Sequence, residues 1–234
     1  MQSSPTGFER PGLPLLWMLA TSLGWALVPF TPLQTTFRTY AEIVRQVPAY
    51  AVFGLLLGAA TGLGQALVWK LQGRPAARWW WASAVGFGLA LPAGLLVVTL
   101  TASSAFALAG ANFFFLPLTE PAGMLFVALP PALALCGGIV GLAQWPFVRR
   151  LLPRARTSMA LLWVFGVWLS LSLGMYLGAL ARELAKGFAQ TTAYQGLIGR
   201  SAAGAIIGML TGALLIVLMR ESQRSTKRPL APLT

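Results

Sequence analysis

Residues 58–70 read GAATGLGQALVWK, and seventy-nine positions further on residues 137–149 read GGIVGLAQWPFVR. Gly58, Gly62 and Gln65 are answered by Gly137, Gly141 and Gln144, and Lys70 by Arg149. A further shift of 67 gives Gly204, Gly208 and Thr211, where threonine stands in place of glutamine. Each copy lies in an apolar run, and residues four apart share one face of a helix. Lipid supplies little hydrophobic drive between helices, so small residues one turn apart serve close backbone packing. A pore lining or a ligand contact is the other use of such a face, and the motif by itself leaves both open.

A second pattern runs through the intervening stretches. Trp17, Ala20, Gly24 and Trp25 reappear 62 positions later as Trp79, Ala82, Gly86 and Phe87, and 84 further on as Trp163, Gly166, Ser170 and Leu171. Both patterns relate the first copy to the third by the same 146 positions. Three paired-helix units follow, at about 13–70, 79–149 and 158–219. A membrane helix needs about 20 mostly apolar residues, and six such runs are present: 13–30, 50–69, 79–100, 124–148, 158–180 and 197–219. The expected fold is all-α and polytopic, a single transmembrane domain over 13–219 between a tail at 1–12 and a basic tail at 220–234. Pro92, Pro130, Pro131 and Pro146 fall inside runs, where neighbouring helices can satisfy the freed carbonyls. The first run is read as a span and not as a signal peptide, because its pattern recurs in the third run and no small-residue cleavage site is evident.

Composition agrees. Of 234 residues 57% are hydrophobic and 9% charged, against about 25% charged in soluble domains. The net charge of +12 does not mark a nucleic-acid binder, since the basic residues occupy short connections between apolar runs and gather on no polar face. Twelve of the 17 lie in the two tails and the connections after spans two and four, leaving Arg38, Arg45, Arg182, Lys186 and Arg200 on the other side. This asymmetry places both termini in the cytoplasm, and the localisation expected is the cytoplasmic (inner) membrane. The one cysteine, Cys136, has no disulfide partner, and histidine and aspartate are absent. A His-ligated metal, a Ser-His-Asp triad and an aspartate dyad are thereby excluded, and no catalytic residue, metal or cofactor is assigned.

Hairpin repeats, a Gly-x-x-x-Gly-x-x-Gln helix ending in a basic residue, and a preceding helix with tryptophan and a Gly-aromatic pair resemble uncharacterised multi-pass bacterial membrane proteins. The resemblance covers most of residues 13–219 and implies no activity. It is broken where Ala66 stands opposite Trp145 and where the third copy lacks glutamine.

Trp17, Trp79, Trp80, Trp81, Trp145 and Trp163, near the cytoplasmic ends of their spans, read as an aromatic belt. Gln65 and Gln144, whose amides could bond across helices or to a headgroup, read as polar clamps between hairpins. Phe37, Tyr40, Val44 and Val47 suggest an interfacial amphipathic helix, Phe113, Phe114 and Phe115 an apolar loop, and Arg182, Glu183 and Lys186 a short polar turn. Each outer loop holds one glutamate, Glu42, Glu120 or Glu183. With Arg45 and Arg182 these form the candidate binding residues, for a cation or a zwitterionic solute.

Three functions are compatible with this pattern. A structural or accessory subunit, partnered by the lipid bilayer and by other membrane proteins or further copies of itself, needs no more than packing faces. A solute transporter or channel needs a polar path, for which Ser103, Ser104, Thr99, Thr101, Ser170, Ser172, Gln65, Gln144 and Thr211 are the lining candidates. A lipid-modifying enzyme needs an acid–base pair or nucleophile and is the weakest of the three.

Overall fold

The structure, a computed structural model, describes residues 12–28, 40–73, 78–109, 121–152 and 156–227, with side chains over 12–28, 44–73, 78–101, 129–152 and 156–223. Six helices run through them: α1 (Leu13–Leu27), α2 (Tyr40–Leu71), α3 (Trp79–Ala109), α4 (Pro121–Leu151), α5 (Thr157–Ala185) and α6 (Thr192–Lys227). Five of these, α2 to α6, are long and apolar enough to cross a membrane. Helices suit lipid because they satisfy every backbone donor and acceptor internally.

The helix ends follow from local chemistry. Pro14 sits in the first turn of α1, where its missing N–H costs nothing. At the other end Val28 is extended (φ −93°, ψ 103°), as the residue before a proline tends to be, and Pro29 follows. That stop makes α1 15 residues long, about 22 Å, shorter than the 13–30 span expected. α2 closes on Gly73 at φ 71°, whose N–H bonds the Lys70 carbonyl at 2.9 Å, a left-handed stop that glycine adopts freely.

Elsewhere the helices outrun the hydropathy. Residues 40–47 form the first two turns of a continuous α2 that carries Pro48 in its interior, so no separate interfacial helix exists there; Phe37 lies outside the described residues. α3 and α4 continue through Pro92, Pro130, Pro131 and Pro146. Arg182 and Glu183 belong to the last turn of α5 and not to a separate polar turn, and Lys186 caps it, its N–H bonding the Glu183 carbonyl at 3.1 Å. The Phe113–Phe115 loop lies outside the described residues.

Helices adjacent in the chain pack on one another, and α1 packs more extensively on α6 than on α2, closing a ring. Glycines set the closeness of alternate contacts. On α2, a Cβ at Gly58 would overlap the Ser83 carbonyl of α3, and one at Gly62 would lie 2.7 Å from Trp80 Cα. On α4, Gly137 faces Trp168 Cα of α5 with no room for a Cβ, and Gly141 would place one 2.9 Å from Val164 Cα. On α6, Gly204 and Gly208 stand in the same way against Ser22 and Met18 of α1, at 2.9 and 2.8 Å. The outward faces carry exposed leucines such as Leu23, Leu67, Leu142 and Leu161, the surface a hydrocarbon solvent tolerates.

Candidate functional site

The chemistry of this chain that is not packing lies on the axis of the ring. α1, α3 and α5 send Trp17, Trp79 and Trp163 inward, and all three are at least 97% buried. Trp79 meets Trp17 and Trp163 edge-on at 5.6 and 6.4 Å, and Trp69 of α2 joins the cluster 5.4 Å from Trp17. Edge-to-face pairs of this kind add to the stabilisation from burial alone.

A buried indole usually finds a partner for its N–H. Trp79 Nε1 donates to Gln65 Oε1 at 2.8 Å, and Trp17 Nε1 donates to Thr211 Oγ1 at 3.2 Å. Gln65 spends its amide hydrogen on Thr21 Oγ1 (3.0 Å), and Gln144 donates to Ser83 Oγ (3.1 Å). The two threonine hydroxyls pass their own protons to helix carbonyls, Thr21 to Trp17 and Thr211 to Ile207. Hydrogen bonds thus join α1 to α6, α1 to α2, α2 to α3 and α3 to α4 across the interior. Gln65 reaches from α2 to α1 and to α3, whereas Gln144 reaches Ser83 within its own α3–α4 pair and not a neighbouring hairpin.

The aromatic belt is corrected in part. Trp17, Trp79 and Trp163 turn inward and not toward lipid, since each indole is enclosed by neighbouring helices and the first two find axial partners; Trp81 is exposed and stacks on Trp80 at 4.1 Å. Sequence reading missed Trp69, Thr21, Thr61 and Ser83. The signal for Thr21 and Ser83 was their position one turn beyond Trp17 and Trp79.

The axis leaves a cavity of about 20 Å³, room for about one water. Above the tryptophans it is bounded by Trp25, Phe87 and Leu171, and from the even-numbered helices by Thr61, Val140 and Ile207. Among the other polar candidates Thr99, Thr101 and Ser170 bond carbonyls of their own helices, and Ser172 Oγ is buried without a partner away from the axial cavity's lining. Ser103 and Ser104 lie outside the described side chains. Cys136, buried, directs its thiol at the Ala90 carbonyl at 3.1 Å.

Of the candidate binding residues, Glu183 pairs with Lys186 on the surface, and Arg45 and Arg182 are exposed. The side chain of Glu42, and Glu120 altogether, lie outside the described part. Among the described residues no group of three or more His, Cys, Asp or Glu side chains is placed to hold a metal. On the outer surface between α4 and α5, an apolar groove of about 660 Å³ runs from Ser158 past Leu161 and Phe165 to Trp168, with Ala134 and Gly138 on its α4 side.

No family model, no curated protein and no solved structure matches the chain.

Proposed function

We propose that the chain is a non-catalytic structural or accessory subunit of a membrane assembly, made of three repeated helical hairpins that cross the cytoplasmic membrane six times with both termini inside. The filled axis carries this reading: transporters of repeated design bind solute between their repeats, and here the space between them is lined by Trp17, Trp79 and Trp163 and leaves about 20 Å³. Association in lipid relies on close packing and not on a water-driven hydrophobic effect. The α4–α5 groove, apolar and open to the outside, is the face offered to a partner.

The repeat is supported by the agreement of its offsets with the contacts. The wall residues fall into sets related by the shifts of 62 and 84 or 79 and 67: Trp17, Trp79 and Trp163; Trp25, Phe87 and Leu171; Thr61, Val140 and Ile207; Gln65, Gln144 and Thr211. The glycine contacts obey the same shifts, with Gly62, Gly141 and Gly208 against Trp80, Val164 and Met18. Six crossings require the short α1 to span too, which local bilayer thinning permits at modest cost. Orientation rests on the distribution of arginine and lysine. Cysteines introduced one at a time at Arg78 and Arg156, in a Cys136→Ala background, are expected to resist an impermeant maleimide in intact cells and to react once the membrane is opened. Labelling of both in intact cells would invert the topology.

The function is tested by purifying the tagged protein in mild detergent and identifying what accompanies it. A stoichiometric membrane protein, or a defined oligomer of the chain itself, is the expected result. Gly138→Leu fills the groove at a position where a Cβ meets nothing within 4 Å; it is expected to release that partner while the melting temperature of the chain is kept. A monodisperse monomer that transports solute when reconstituted would overturn the reading.

A further inference from the structure

Three buried polar atoms without a hydrogen-bond partner belong to residues that wall the same axial cavity: Trp25 Nε1, Thr61 Oγ1 and Trp163 Nε1. Their residues are 8%, 3% and 0% exposed, so bulk solvent serves none of them. Thr61 is the odd member among the threonines of the axis. Thr21 and Thr211 bond the carbonyl four residues back, whereas Thr61 does not and stands against the backbone of α1 at Gly24. Two further features set the chemistry of an occupant. A space of about 20 Å³ exceeds the roughly 10–15 Å³ that one water requires and excludes larger solutes. Two of the three groups are indole N–H donors, which repel cations and need an acceptor.

We propose that the axial cavity is a hydration site, holding an ordered water that accepts from the indole N–H groups of Trp25 and Trp163 and donates to Thr61 Oγ1. The water completes the polar belt at the places where the third hairpin departs from the other two. Val167 and Thr211 there stand at the positions of Thr21 or Ser83 and of Gln65 or Gln144. A dry cavity of this size is stable when its walls are wholly apolar, and these walls carry three polar atoms without a partner. The inference is independent of what the protein assembles with.

The test combines a map with one nearly isosteric substitution. A structure of the purified protein at a resolution that shows waters is expected to place a density peak about 2.7–3.2 Å from Thr61 Oγ1. Thr61→Val keeps the shape and removes the hydroxyl, so the water loses a partner and the melting temperature falls, by roughly 2–4 °C for a chain of this size. Thr61→Ser retains the peak, and it keeps the site testable should the valine variant express poorly. In a dry cavity the hydroxyl is a stranded polar group, and valine there would leave the melting temperature unchanged or raise it. An empty map, or a valine variant at least as stable as the parent, overturns the proposal.

Discussion

Gly137→Leu is expected to abolish the closed ring. A Cβ there falls on Trp168 Cα, with Trp168 Cβ and N at 2.7 and 2.9 Å, so the obstacle is the backbone of α5 and no rotamer change relieves it. Overpacking a core costs about 1–3 kcal/mol where side chains can yield; where two helix backbones must separate, contacts along the whole α4–α5 seam are lost with it. Helix propensity works in the opposite direction, since leucine gains several tenths of a kcal/mol over glycine. Gly138→Leu supplies the same propensity gain one residue on, facing open space. In detergent size-exclusion profiles the first variant is expected to aggregate or vanish, and the second to stay monodisperse, differing from the parent only by loss of the bound partner. Equal behaviour of the two would mean that the glycine face does not set the helix spacing.

Gln65→Leu is expected to cause the second-largest loss. Its amide is shared between α1 and α3, accepting from Trp79 and donating to Thr21. Leucine fills much of the volume but strands the Trp79 N–H, in a residue 3% exposed. An unsatisfied buried donor costs about 1–3 kcal/mol, whereas hydrogen bonds between membrane helices average about 0.6 kcal/mol. The enclosure of this pair places the expected loss near 2 kcal/mol by that desolvation argument. Thr21 keeps its bond to the Trp17 carbonyl, so one orphan results and not two. Removing both partners in Gln65→Leu with Trp79→Phe should recover part of the loss, leaving a coupling of about 1 kcal/mol in a double-mutant cycle. Strict additivity in thermal melts would show that the amide and the indole do not act together.

Much of the site was present in the one-dimensional pattern without its direction. Gln65, Gln144 and Thr211 stand out because polar side chains are few in these runs, and they do line the axis. Trp17, Trp79 and Trp163 stand out equally, yet their place in the runs does not reveal that they turn inward. A water-soluble helix reveals its inner face by apolar residues on one side; a membrane helix is apolar all round, so the same tryptophan fits either environment. Thr61 gave no signal, because in its set the other members are Val140 and Ile207.

From the order of residues alone come the class of protein, the helical runs, the glycine faces and the shifts that relate them, because run length and the spacing of small residues are properties of single helices in hydrocarbon. Which helix each glycine face meets, the closure of α1 on α6 and the inward turn of the tryptophans were decided only when all six helices packed together. The reason is that each of these depends on a partner surface remote in the chain, as the bond from Trp17 to Thr211 illustrates.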